Sequence, residues 1–207
     1  MIMKNIFVVT HTESQHHVDG KVGGWYDTGL TPKGVEQAKR VARSLREIVE
    51  DPDPHITASD LQRTMQTAAI IGQAFDRQVQ SNADLREMSQ GTAEGQAQAW
   101  LDARMSVAPD DNRLDHQAIA GGETKRQFVS RVYRGLDAVL ANPTATQIVV
   151  THGFALTFVV ARWIGMPLEA AGFVNFRATP GGITHLHQDD FWRNREVRSL
   201  NDTSHLG

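Results

Sequence analysis

The chain has no cysteine, which excludes a disulfide framework and any thiolate-ligated metal centre. It has no apolar run long enough to cross a bilayer. The stretch Ile6 to Val9 is much shorter than a signal-peptide core, gives way at once to polar Thr10 and His11, and reads as a strand. Neither sign of charge dominates, with 21 Lys and Arg against 24 Asp and Glu and a net charge of −3. The basic residues are scattered rather than gathered in a stripe, so nothing points to nucleic acid or a membrane surface as a partner. Internal repeats and low-complexity linkers are absent too. What these absences leave is a soluble globular protein, expected in the cytoplasm.

What is present fits one domain spanning residues 1–207, with a hydrophobic share of 40%. Two features are unusual, nine histidines and four tryptophans. His11, His16 and His17 fall within one short segment.

Lys4 to Thr10, Ile56 to Ser59 and Gln147 to Thr151 are short apolar runs that suit strands buried on both faces, as in a parallel sheet. Between them lie helical patterns. Thr31 offers an N-cap and Pro32 a first helical residue before Val35, Ala38, Val41, Ala42, Leu45 and Ile48. Asp60 is expected to cap a helix through Met65, Ala68, Ile71 and Phe75, and Thr124 one through Phe128, Val132, Leu136 and Val139. Another apolar helix runs from about Phe154 to Ile164. Residues 79–122 are loop-rich, with a helix expected around Ala97 to Met105, and read as a specificity insertion. Short strand-like runs follow around Val174 and from Ile183 to Leu186. Strands alternating with helices predict a three-layer α/β/α fold with a mostly parallel central sheet. Such sheets place ligands beyond the carboxyl ends of their strands, where His11, Ser59 with Asp60, and His152 would converge.

A neutral imidazole can attack phosphorus, so His11 is the candidate nucleophile. The phosphoryl oxygens need fixed donors, which Arg63, one turn into its helix, and His152 can supply. A leaving alkoxide needs a proton from a carboxyl group, and Glu87, just before the Gly91 to Gly95 loop, is the best candidate, with Glu13 and Glu94 as alternatives. The plainer readings are a surface Arg63 paired with Asp60, a Glu87 paired with Arg86, and a metal site at His11, His16 and His17 that no ligand spacing supports. His185 and His187 read as exposed residues on a late strand. Trp25, in Gly23-Gly24-Trp25-Tyr26, is a candidate for the substrate rim, as is Arg86, while Trp100, Trp163 and Trp192 read as core or rim aromatics.

Five segments together resemble the histidine phosphatase superfamily, which also contains the cofactor-dependent phosphoglycerate mutases. They are Val9-Thr10-His11-Thr12-Glu13-Ser14, the stretch Leu30 to Ala38, the stretch Ser59 to Ala68, Gly121-Gly122-Glu123-Thr124, and Val150-Thr151-His152-Gly153. The resemblance implies a phosphorylated His11, a phosphoryl group held by Arg63 and His152, and Glu87 as the acid, with no metal or cofactor. One departure stands out: Thr10-His11-Thr12 replaces the family's usual Arg-His-Gly, so a phosphate-binding arginine is missing. His17 aligns where the family often has an asparagine and is the first candidate to replace it, charged only below a pKa near 6.5. Thr10 and Ser14 complete the expected phosphate-binding set, and His16, Lys21 and Arg86 are further substitutes.

The function expected is hydrolysis of a small phosphorylated metabolite through phospho-His11. The alternatives are a mutase that returns the phosphoryl group to a second hydroxyl, for which the chain is short, and a phosphate-ligand binding protein with weakened catalysis. A homodimer is a mild expectation. The insertion carries Trp100, Arg104 and Arg113 without a recognisable substrate code.

Overall fold

In β1 (Lys4–Thr10), Ile6 and Val8 pack on one side of the sheet and Phe7 and Val9 on the other, and all four are buried. This two-residue alternation with no polar face forces helices onto both sides. The computed structural model describes residues 3–207. The other strands are β2 (His55–Ala58), β3 (Val79–Ser81), β4 (Thr146–Thr151), β5 (Ile183–Gln188) and β6 (Arg195–Asp202), in the spatial order β3-β2-β4-β1-β5-β6. The pairs β3-β2, β2-β4 and β4-β1 are parallel, while β5 runs antiparallel to both neighbours.

The helices are α1 (Gln15–Val18), α2 (Pro32–Ile48), α3 (Gln62–Phe75), α4 (Gln98–Asp102), α5 (Lys125–Ala141) and α6 (Gly153–Trp163). Residues of α2 and α3 pack with Phe7, Val9, Ile148 and Val150, and residues of α5 and α6 pack with Ile6, Val8 and Val149. The fold is therefore the expected three-layer α/β/α with a mostly parallel sheet. Thr31 caps α2 by accepting the Gly34 N–H at 2.9 Å, and Thr124 and Gln127 form a capping box on α5.

Three expectations are corrected, and one strand was not foreseen. Asp60 does not cap α3: Leu61 holds the cap position, Asp27 accepts the Gln62 N–H at 2.7 Å, and the Asp60 carboxylate is taken by Arg86 through two bonds. The helix expected around Ala97 to Met105 is only the five residues of α4. Val174 lies in no strand, because it follows a 3-10 turn and has no ladder partner. The edge strand β6 went unread since most of its residues are exposed and its pairing with β5 is broken by register shifts.

Gly34 lies where the first turn of α2 abuts the loop after His11. Its carbonyl accepts the Thr12 hydroxyl at 2.7 Å, and a Cβ there would be driven into the backbone oxygen of Glu13. Gly34→Ala is expected to lower stability by about 1–3 kcal/mol in urea titration. The same variant should also lose activity, because the displaced loop carries His11; an unchanged midpoint would contradict this packing.

Candidate active site

His11 is placed by the end of β1, where its backbone N–H donates to the Thr151 carbonyl at 2.8 Å. Its Nδ1 lies 2.8 Å from the Thr12 carbonyl, which can only accept, so Nδ1 carries the proton and Nε2 keeps its lone pair. Arg63 Nε donates toward that Nε2 at 3.3 Å. Burial first, and the Arg63 guanidinium second, hold the His11 pKa well below 6.5. The imidazole is neutral at neutral pH.

Arg63 enters from the first turn of α3 and is 1% exposed. It does not pair with Asp60. Its Nη1 donates to the Tyr26 carbonyl at 3.0 Å and its Nη2 to that of Gly24 at 2.7 Å. Burial lowers its pKa to about 10, against the raising pull of Glu87, Asp27 and Glu94, so it remains a cation.

His152, the N-cap residue of α6, is fully buried. Its Nε2 hydrogen-bonds Ser59 Oγ at 2.8 Å, its Nδ1 has no partner among the described residues, and its ring centroid lies 5.2 Å from that of His11. Burial and then Arg63 hold its pKa well below 6.5. Glu87 Oε1 and Oε2 accept the backbone N–H groups of Met88 and Phe154 at 2.9 and 3.0 Å. Desolvation nevertheless raises its pKa, the two N–H bonds and Arg63 pulling the other way. Glu87 is not paired with Arg86.

His11, Arg63 and Glu87 line a cavity of about 290 Å³ with Thr10, His16, His17, Gly23, Gly24, Gly153 and the segment Ala178 to Pro180; His152 does not line it, although its ring lies 5.2 Å from that of His11. Arg63 is the only Lys or Arg among the described residues that line it. Several expected contacts fall elsewhere. Thr10 reaches the wall, yet its hydroxyl proton is spent on the Thr179 carbonyl. Ser14 is buried away from the cavity against His16, whose pKa burial depresses to about 3. His17 stacks on His11 with ring centroids 5.4 Å apart, and burial and Arg63 lower its pKa, so the charge expected of it below a pKa near 6.5 is confined to more acidic pH. Lys21 lies over the Tyr26 ring. Glu13 binds Lys33 and Thr31, and Glu94 accepts from Trp25 N, Ser89 Oγ and Gln90 N, so both carboxylates act in loop anchoring.

Trp25 and Arg86 do not line the cavity. Arg86 lies over the Trp25 ring, whose Nε1 donates to the Glu87 carbonyl at 2.8 Å, so the pair braces the backbone of the acid from behind. His185 and His187 are not exposed: both hydrogen-bond Asn5 Oδ1, and His185 stacks on Phe7. Trp192 is exposed, and Trp163 is fully buried.

The residue that sequence reasoning passed over is Arg131 on α5. Its guanidinium donates to the carbonyls of Asp84, Arg86 and Glu87 at 3.0–3.1 Å and closes a two-bond pair with Glu123, whose Oε2 also accepts the Ser89 N–H. This clamp fixes the strap that carries Glu87. The signal was an arginine three residues after Phe128, on the apolar face of its helix.

Breaking a shielded pair by removing one partner leaves a charge without compensation. Arg131→Met is therefore expected to cost about 3–5 kcal/mol in urea unfolding, and Arg131→Met with Glu123→Leu markedly less. Strict additivity of the two single changes would refute the coupling. The depressed pKa values of His11, His16, His152 and His185 also set an acid dependence. Below about pH 6.5 the unfolded chain takes up protons that these folded residues refuse, so stability falls as pH drops, while the raised Glu87 pKa works the other way. The urea midpoint should be lower at pH 5 than at pH 7; a flat or rising midpoint would show the histidines to be accessible.

The sequence profile of the histidine phosphatase superfamily (branch 1) matches residues 6–203. The protein named probable phosphoglycerate mutase GpmB in Proteus mirabilis (strain HI4320) is 32% identical over 216 residues, covering 99% of this chain and 95% of that protein. The solved alpha-ribazole phosphatase from Shigella flexneri superposes with a TM-score of 0.80 at 27% identity, covering 96% of each chain. Bacillus stearothermophilus YhfR shares the fold, with a TM-score of 0.80 at 23% identity over 99% of this chain and 100% of that one. The chain belongs to the histidine phosphatase superfamily.

Proposed function

We propose that this chain is a phosphomonoesterase that hydrolyses a small phosphorylated metabolite through a phosphohistidine on His11. The observation that carries the reading is the His11 tautomer: Nδ1–H is committed to Thr12, which leaves the Nε2 lone pair beside Arg63 in a cavity that also holds Glu87. Nε2 attacks phosphorus, the P–N bond forms as the P–O bond breaks, and the Glu87 carboxyl gives its proton to the leaving oxygen. Water then attacks phospho-His11, Glu87 takes the water proton, and inorganic phosphate leaves with the starting state restored. Arg63 and His152 hold the phosphoryl oxygens, and His17 gains charge once a dianion sits beside it.

A mutase is the second reading, favoured by the name given to the Proteus mirabilis relative. Hydrolysis is preferred because, of residues 79–122, only Glu87 lines the cavity, so the insertion does not roof the site against water. Likeness to the Shigella flexneri phosphatase supports the same choice.

The test is turnover of an aryl phosphate from about pH 5 to pH 8, since the reactive forms are neutral His11 and protonated Glu87. The acid limb of kcat/KM should fall below 6.5, as His11 protonates, and the basic limb should track ionisation of Glu87 above its ordinary value of 4.5. His11→Ala should abolish turnover, and Glu87→Gln should reduce kcat by about 10²–10⁴-fold and remove the basic limb. Turnover that survives in His11→Ala would overturn the mechanism.

A further inference from the structure

We propose that the leaving group of the substrate lies in the groove between the start of α2 and the C-terminal segment, and that this groove takes an uncharged alcohol with an apolar face. The proposal deepens the phosphatase reading and rests on it only for the placement of the phosphoryl group.

The phosphoryl cavity opens at a rim of His17, Thr179 and Pro180, and a groove of about 610 Å³ begins across that same rim. Its size is within the range of small-molecule clefts. The insertion, where a specificity pocket was expected, offers little. Arg104 lies on Trp100, and Arg113 is bound to Asp110 and covers Phe173, so neither reaches the cavity.

Charge then decides what the groove accepts. Its one ammonium, Lys33, is paired with the carboxylate of Glu13 at 2.8 Å. A carboxylate or second phosphate entering there would compete with Glu13 for that cation and meet the repulsion of Glu13 itself. Gln37 accepts the Glu13 N–H through Oε1, which leaves its amide NH₂ as a neutral donor, and Thr203 adds a hydroxyl. Pro180 and Leu206 supply apolar wall. An alcohol with hydroxyl groups on one side and a ring or chain on the other is complementary to both.

The experiment measures, by calorimetry on the His11→Ala protein, the dissociation constants of 2-naphthyl phosphate and 3-phosphoglycerate. The aryl ester, whose alcohol part is uncharged, is expected to bind about tenfold more tightly, since its ring covers the apolar wall whereas the carboxylate of the other ester meets only a cation already paired with Glu13. Thr203→Trp, which fills the groove, should shrink that ratio, and Glu13→Gln, which frees Lys33, should strengthen 3-phosphoglycerate by about fivefold. Equal or tighter binding of 3-phosphoglycerate, or a ratio that neither variant moves, overturns the groove. If the binding preference holds but the unsubstituted protein hydrolyses no aryl phosphate, the phosphatase reading fails and the groove stands. If neither ester binds, both fall.

Discussion

A guanidinium that is 1% exposed, with no carboxylate bonded to it, is the constraint around which this site is built. Burying a cation costs several kcal/mol after relaxation unless dipoles and counter-charges surround it. For Arg63 the surroundings are the carbonyls of Gly24 and Tyr26 and the more distant fields of Glu87, Asp27 and Glu94. Gly24 sits at φ +55, and a Cβ there would press on Gln90 N and Glu94 Oε1, so this position needs glycine. Glu94 ties that loop down by accepting from Trp25 N, and Asp27 caps the helix that carries Arg63. What Arg63 still lacks is a close anion, and a phosphoryl dianion in the cavity would supply it.

The same burial, with this cation adding to it, weakens the basicity of four histidines that stand close together. His11, His16, His17 and His152 each have a pKa lowered by burial, with Arg63 contributing to every one. Thr10 ties the end of β1 to the segment before β5 through the Thr179 carbonyl.

How much of this was legible in the sequence follows from where burial is symmetric. Strands β1, β2 and β4 lie inside the sheet and showed as continuous apolar runs; β3, three residues long, and β6, largely exposed, lie at the edges and carried no pattern to read. His11, Ser59 with Asp60, and His152 could be brought together because the end of each parallel strand is a fixed place; Arg63 followed one helical turn after Asp60, and Glu87 rested on its place before the Gly91 to Gly95 loop. Side-chain partners could not be foreseen, since they depend on the distances between loops. Asp60 was free in sequence to be a cap and is in fact held by Arg86 from a segment 26 positions on. His185 and His187 looked exposed for the same reason, until Asn5 on the neighbouring strand met them both. Arg131 was readable only as an anomaly, a charge on an apolar helix face, with nothing to say that its partners were the carbonyls of the strap bearing Glu87.

Desolvation gives the site its chemical direction. Removing water penalises the charged form of any group, so it lowers the pKa of His11 and raises that of Glu87. A nucleophilic imidazole must be neutral and a carboxyl that protonates a leaving group must be neutral too, which are opposite protonation demands met by one physical cause. The N–H bonds from Met88 and Phe154 work against it at Glu87 by stabilising the carboxylate form, so burial and hydrogen bonding pull that group in opposite directions. Arg131 holds the Arg86 and Glu87 carbonyls at 3.0 Å, so the backbone that carries Glu87 is anchored from α5 rather than by the loop itself.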